Sequence, residues 1–226
     1  VTSRRSQPTP LRRKTQIRPE KKTIVVFCEG RRSEPDYIRG LKRISTVAAN
    51  AAIRIEIVVA PGVPATLVRR AVEKARDPEI DECWCTFDVE WPTNHPNLKQ
   101  AVSLARENGI RLAISNPCFE LWLVLHFEDH RRFSDNATIE RRSRELDGRS
   151  GKGIDPAVYM PRRWEAVERA RALEAMHLRN SVRFPADNPS SSMADLVIAT
   201  GGQAAAPDYS ESRGDGPGRR GVRSNR

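Results

Sequence analysis

The chain has 226 residues, with 39 Lys and Arg against 29 Asp and Glu, a formal net charge of +10 and a pI of about 10.0. That length suits one domain of ordinary size with an appended segment and is enough to bury a real core. No apolar run approaches the roughly 20 residues of a membrane span, and the basic start of the sequence is not followed by an apolar signal-peptide core. A cytoplasmic setting with no membrane partner is therefore expected, and the excess of cations favours a polyanion, most commonly nucleic acid.

Part of the positive charge lies at the ends. Residues 1–22 carry Arg4, Arg5, Arg12, Arg13, Lys14, Arg18, Lys21 and Lys22 against Glu20, are rich in Pro, Ser and Thr, and are expected to be disordered. Thr23-Ile24-Val25-Val26-Phe27-Cys28 is a short continuous apolar run, the pattern of a strand buried on both faces, and it stops at Glu29-Gly30. Ser33 is placed to cap a helix with Pro35 and Asp36 in its first turn and Tyr37, Leu41 and Ile44 along one stripe. Ile53 to Val59 reads as a second strand, broken by Ala60-Pro61-Gly62. A helix follows from about Pro64 to Ala75 and ends at Asp77-Pro78. Glu82 to Phe87 reads as a third strand terminating in Asp88-Val89-Glu90. Leu98, Ala101, Val102 and Ala105 mark a third helix, with Gly109 just past its end. Ile110 to Ser115 is a fourth strand, Asn116-Pro117 turns the chain, and Phe119 to Phe127 is a very apolar helix.

After His130 the composition changes. Residues 131–153 are strongly charged, Arg163 to Leu178 reads as an amphipathic helix with Trp164, Val167, Ala170, Arg171 and Leu178 near one face, and Pro189 to Ala199 reads as a last short helix that docks through Leu196 and Val197. From Gly201 onward Gly, Pro, Ser and Arg predominate, and disorder is expected again. The division is thus a basic tail over 1–22, an α/β core over 23–130, a helical extension of the same domain over 131–200, and a tail over 201–226. Strands alternating with helices predict a four-stranded, mainly parallel sheet flanked by helices. Cys28, Cys83, Cys85 and Cys118 lack the Cys-x2-Cys spacing of a zinc knuckle and are expected as buried reduced thiols.

Chemistry concentrates at the strand ends. Glu29 follows the first strand, and Asp88 and Glu90 follow the third, so in a parallel sheet all three carboxylates emerge at one edge. Asp88 and Glu90, two apart, face the same side if the segment stays extended. Three like charges at one edge are tolerable with a divalent cation between them, and hard oxygen ligands suit Mg²⁺ or Mn²⁺. The bland alternative is that these are ordinary wet strand ends.

Three stretches carry a resemblance: Ile24-Val25-Val26-Phe27-Cys28-Glu29-Gly30 with Ser33-Glu34-Pro35-Asp36-Tyr37; Trp84-Cys85-Thr86-Phe87-Asp88; and Ser115-Asn116-Pro117-Cys118-Phe119-Glu120-Leu121-Trp122. An acid-Gly after strand one and an Asp-x-acid after strand three is similar to the Toprim pattern of topoisomerases, primases and several nucleases. Over roughly 23–200 the chain resembles more closely the RloB-like family. The resemblance implies a Toprim-like (Rossmann-like) fold for the core and metal-assisted phosphodiester chemistry on DNA or RNA. It also implies a partner ATPase of the RloA type in a phage-defence, abortive-infection module. Toprim proteins usually carry Asp-x-Asp at strand three; Glu90 stands at the second position here, one methylene longer, which bears on metal preference or position.

On this reading Glu29, Asp88 and Glu90 are both the catalytic set and the metal ligands, with Glu29 a ligand or the general acid/base. Glu34 either completes a second metal site or is an acid stabilised in a first helical turn. Arg31 and Arg32 grip a substrate phosphate, neutralise the acids, or are solvated loop charges. Asn116 reaches the same edge as a substrate contact, and Glu120 lines the site or caps its helix. His95, in the loop after the acid pair, is a further catalytic candidate, whereas His126 is expected to be structural. Ser150-Gly151-Lys152-Gly153 lacks the spacing and preceding strand of a P-loop, so ATP chemistry is left to the partner. Two other functions stay open: a non-catalytic nucleic-acid-binding or regulatory subunit of that ATPase, leaning on salt-sensitive basic tails, and a phosphoryl-transfer enzyme acting on small nucleotides.

Overall fold

A computed structural model describes residues 22–47, 53–60 and 62–201. The expectations for the two tails lie outside these residues, except that Lys22 opens the first strand and Gly201 closes the last helix. In chain order the elements are β1 (Lys22–Cys28), α1 (Ser33–Val47), β2 (Ile53–Val59), α2 (Pro64–Lys74), β3 (Glu82–Asp88), α3 (Leu98–Glu107), β4 (Arg111–Asn116), α4 (Phe119–Val124), α5 (Asn136–Asp147), α6 (Pro156–Tyr159), a 3-10 turn at Met160–Arg162, α7 (Arg163–Arg179), β5 (Ser190–Ser191) and α8 (Met193–Gly201).

The sheet has five strands in the order β2-β1-β3-β4-β5. The first four are parallel, with Val26 opposite Ile57 and Trp84, and Asp88 opposite Ser115. The fifth strand corrects the four-strand expectation. Ser190–Ser191 pairs antiparallel with Asn116 and Ser115, and the last helix starts at Met193 rather than Pro189. A two-residue strand built of serines has no apolar periodicity to announce it; its pairing is supplied by β4.

β1 is buried on both sides, as its continuous apolar run requires. Ile24, Val26 and Cys28 join one apolar cluster with residues of α1, α4, α7 and α8, while Val25 and Phe27 join a second with residues of α2 and α3. The chain moves from β1 outward to β2, then back past β1 to β3 and on to β4. With crossovers of one hand, this reversal puts α1 on one face and α2 and α3 on the other. It also leaves a crevice at the carboxyl ends of β1 and β3, the topological switch point where ligands of such sheets bind.

Residues 131–200 pack on the α1 face: Ile139, Ile154, Tyr159, Val167, Leu173 and Leu196 share the cluster that holds Tyr37 and Trp122. The 131–153 segment contains α5, which its charge had concealed; Ile139 and Ser143 are its buried residues, and the Asp135 carboxylate caps it by accepting from the Thr138 amide at 2.8 Å. On α7 the buried residues are Ala166, Val167, Ala170, Leu173 and His177. Arg171 instead points outward to Glu174 and Asp195, and Leu178 is 71% exposed, so the expected face is rotated.

Tyr37, Phe119, Trp122, His126 and Tyr159 form a chain of edge-to-face ring contacts that joins α1, α4 and α6. His126 is fully buried, bonded to the Tyr37 hydroxyl at 3.1 Å and the Trp122 carbonyl at 2.8 Å. Burial pushes it down to about 3, so it is neutral and structural, as expected. All four cysteines are buried free thiols.

Gly40 lets α1 approach α6. A Cβ there would lie 2.6 Å from Cβ of Pro156 and 3.1 Å from Cε of Met160. In an open helix interior Gly→Ala stabilises by about 0.5–1 kcal/mol; here the sign reverses. Gly40→Ala is expected to destabilise the chain by roughly 1–3 kcal/mol, the usual cost of overpacking, read as a lower urea midpoint at unchanged slope. An unchanged or higher midpoint would show that the α1–α6 contact is loose.

Candidate functional site

At the switch point the strand ends place Glu29 and Asp88 side by side. The Glu29 amide donates to the Thr86 carbonyl at 3.1 Å, which carries the β1–β3 ladder one residue beyond β1. Glu34, from the first turn of α1, and Glu120, from the first turn of α4, enter the same space. All four line a cleft of about 620 Å³ together with Glu90 and Glu140. Arg31, Arg32 and Lys152 are the cations on its wall, and all three are exposed.

Glu34 is the most deeply held acid, 4% exposed. Its Oε1 accepts from the Thr86 hydroxyl at 3.4 Å, while Oε2 is closed from solvent with no hydrogen-bond partner. Burial first, then the neighbouring Glu29 and Glu120 charges, push it up to about 8, against which the Gly30 amide and the Thr86 hydroxyl act only in part. Gly30 is what admits this carboxylate: a Cβ there would meet Glu34 Oε2 at 1.8 Å. Asp88 is half-buried as a residue, and its Oδ1 is buried without a partner. Burial, followed by the charges of Glu34, Glu120 and Glu29, raises it well above the usual carboxylate range; the Phe119 amide at the start of α4 works the other way. Two adjacent carboxylates with orphaned, buried oxygens are an arrangement that a cation would satisfy.

Glu90 departs from expectation. β3 ends at Asp88, and Glu90 has φ +65, the left-handed region that a non-glycine residue occupies at a cost. Its amide donates to the Pro117 carbonyl at 2.8 Å, so the segment bends instead of staying extended. Glu90 therefore reaches the cleft from its rim, with Oε1 3.6 Å from His95 Nε2. His95 Nε2 sits 2.9 Å from Glu29 Oε1. That hydrogen bond, aided by the charges of Glu29 and Glu90 and opposed by burial, raises His95 above its usual range. The loop after the acid pair thus does fold back onto the site, held by the His95 amide donating to the Val89 carbonyl at 3.0 Å.

Other candidates sort by location. Arg31 and Arg32 are on the cleft wall. Asn116 is not on it: the residue is 2% exposed, and its amide nitrogen donates to the Pro185 carbonyl and to Asp187 Oδ1, both at 3.0 Å, so it braces β4 against the segment before β5. Ser33 does not cap α1 through its side chain. Its hydroxyl faces Glu120 Oε1 at 3.2 Å and the Lys152 carbonyl at 2.9 Å, tying α1 to α4 and to the loop after α5. Asn136, Glu140 and Lys152 join the cleft from the extension, and nothing local in their sequence marked them.

The donor set consists of hard carboxylate oxygens, the kind that suits Mg²⁺ or Mn²⁺. Among the described residues no three His, Cys, Asp or Glu side chains stand close enough together to hold an ion as they are. On the orphaned oxygens, Asp88 and Glu34 are the residues that fit a metal best, with Glu29 and Glu120 beside them and Glu90 outside.

A family model described as RloB-like protein matches residues 24–199 of the chain. No curated protein matches it.

The burial of Glu34 has a pH signature. Between its usual value of 4.5 and about 8 the folded chain keeps a proton that the unfolded chain has released. The stability from this site is therefore full below 4.5 and is lost as pH rises through about 8. Glu34→Gln retains the shape without the titration. In EDTA it is expected to be more stable than the parent by on the order of 1–3 kcal/mol at about pH 8.5, and by little at about pH 5. Urea midpoints at the two pH values check this, and a difference independent of pH would show that Glu34 is not held protonated.

Proposed function

We propose that the chain, which belongs to the RloB-like family, is a Toprim-type, metal-dependent nuclease that cleaves phosphodiester bonds in DNA or RNA. The observation that carries this reading is the pair of buried, unpartnered carboxylate oxygens on Asp88 and Glu34 at the sheet's switch point. A buried carboxylate oxygen left without a partner costs the fold unless something compensates it, and here one oxygen on each of two neighbouring acids is so placed. Further support is the acid placement after β1 and β3, which is similar to the Toprim pattern.

Asp88 and Glu34, with Glu29 and Glu120, would hold Mg²⁺ or Mn²⁺. The ion supplies Lewis-acid stabilisation of phosphate charge and a more acidic bound water. The chain's own residues do the rest. Arg31 and Arg32, on the exposed loop between β1 and α1, bind the phosphates flanking the scissile bond. His95 donates to Glu29 and holds that carboxylate against the β1 end; protonated, it is the group at the rim able to give a proton to a leaving oxygen. Glu90 lies on the other side of His95, and its charge adds to the Glu29 hydrogen bond in raising that imidazole. Gly30 keeps the floor of the cleft open for Glu34.

The family resemblance supports a second component, an RloA-type ATPase, and a role in abortive infection. Ser150-Gly151-Lys152-Gly153 lies between α5 and α6, after a helix, which accords with assigning nucleotide hydrolysis to that partner.

The decisive assay incubates the purified chain, alone and with the neighbouring ATPase, with plasmid DNA and total RNA in Mg²⁺, Mn²⁺ or EDTA. Cleavage is expected with metal only, and Asp88→Asn is expected to lower it on the order of 10²–10³-fold, as when one group stabilising transition-state charge is removed, with a urea midpoint no lower than the parent's. Full activity in that variant would sink the reading. Salt-dependent binding without any cleavage would instead make the chain a regulatory subunit.

A further inference from the structure

Trp91 and Phe133 are the aromatic side chains among the exposed large hydrophobic residues of the described chain, 40% and 58% exposed. They touch, with ring centroids 5.2 Å apart at 85°. Neither joins either apolar core cluster, so the pair is not a corner of the core.

Both rings are presented from fixed backbone. The Trp91 amide donates to Asn136 Oδ1 at 3.0 Å, and the Asn136 amide donates back to the Trp91 carbonyl at 3.4 Å. Next to Phe133, Ser134 is clamped by Asn188: the Ser134 amide donates to Asn188 Oδ1 at 3.3 Å, and Asn188 Nδ2 donates to the Ser134 carbonyl at 2.9 Å. His130 Nε2 lies 2.9 Å from the Ser134 hydroxyl. Two large rings held outward in water, Phe133 beside a buried polar clamp and Trp91 by a reciprocal pair of surface hydrogen bonds, are preorganised for something flat.

Their position says what. Trp91 follows Glu90, and Asn136, which anchors Trp91, lines the carboxylate cleft. Arg131 and Arg132 directly precede Phe133 and line a hollow of about 550 Å³ on the other side of α5, together with Arg141. Arg132 forms no ion pair among the described residues, and the Arg131 contact with the exposed Asp129 is of the weak kind that a phosphate displaces. The hollow also holds Glu128, Asp129 and Glu145, of which Glu128 and Glu145 are paired with Arg142, so Arg131 and Arg132 are the cations it offers beside the aromatic pair, which stands between them and the acidic cleft. The cleft's own acids repel a polyanion, so backbone binding has to come from such flanking cations.

We propose that Trp91 and Phe133, with Arg131 and Arg132 beside them, form a base-stacking platform that leads unpaired nucleic acid into the carboxylate cleft, so that the substrate class is single-stranded polynucleotide. Ring faces take bases of any sequence, and the guanidinium groups take the phosphates. Bases in a duplex are already stacked on one another and offer no free face, so the platform discriminates against paired strands. That the bound strand is a substrate rests on the nuclease reading above; that it binds here does not.

The test measures fluorescence anisotropy of the full chain with labelled oligonucleotides of about 12 nucleotides, within the span of a single-strand-binding module. DNA and RNA single strands and the matching duplexes are titrated in EDTA to suppress cleavage. The single strand is expected to bind more tightly than the duplex. Trp91→Ala with Phe133→Ala should weaken single-strand binding about 10-fold or more and erase the preference. Phe133→Leu, which keeps apolar bulk, should weaken it in the same direction. Tryptophan emission should be quenched by the single strand and much less so in Trp91→Phe. Equal binding by parent and variants, a preference for duplex, quenching unchanged in Trp91→Phe, or no binding at all would overturn the platform and leave the pair as a surface for another protein. Loss of binding in the variants, with no cleavage by the parent under any metal condition, would keep the platform and remove the nuclease reading.

Discussion

Like charges confined at one edge of a sheet are the constraint around which this molecule is arranged. Glu29 and Asp88 leave adjacent parallel strands at the switch point, and α1 and α4 add Glu34 and Glu120 from their first turns. Nothing in hydrophobic burial favours that gathering, and the raised Glu34 and Asp88 show its cost in the folded chain. The acids stay together because the surrounding elements leave them no other place. Thr86 and Gly30 accommodate Glu34, Ser33 faces Glu120, and His95 binds Glu29.

The aromatic cluster explains why that geometry is rigid. Tyr37 lies one helical turn beyond Glu34, and Phe119 and Trp122 flank Glu120 on α4. Packing Tyr37 against both rings, with buried His126 bonded to it, sets α1 and α4 relative to each other. The two acids on those helices inherit their separation from this packing. The extension serves the same end. α6 and α8 close the α1 face, while α5 brings Asn136 and Glu140 to the cleft and shares the anchoring of Trp91. It is part of the site and not an appendage to it.

Much of the core was legible along the chain. β1 to β4 and α1 to α3 announce themselves through apolar runs and periodicity, and Glu29 and Asp88 through their place at strand ends, because a parallel sheet converts sequence position into spatial position. The departures have identifiable causes. β5 is two serines paired by β4, and α5 hides its short apolar face among charges. The inward face of α7 differs from the one its periodicity predicts, because Leu178 is left in solvent while Arg171 finds Glu174 and Asp195. Asp88 and Glu90 share a side only if the segment stays extended, and it does not: Glu90 bends into the left-handed region with its amide on the Pro117 carbonyl. Asn116 was expected at the cleft and is consumed by Pro185 and Asp187.

The sequence by itself determined the fold class, the RloB-like stretches and the edge at which the acids emerge, since these follow from periodicity and from the order of strands. Only the tertiary structure decided which acids face one another. Glu34 and Glu120 rise from secondary candidates to partners of Asp88, and Glu90 recedes to the rim with His95. The same holds for the Trp91–Phe133 pair, forty-two positions apart in sequence and touching in space. Burial, orphaned oxygens and ring contacts are properties of pairs of residues distant in the chain, and no local pattern encodes them until helices and strands pack.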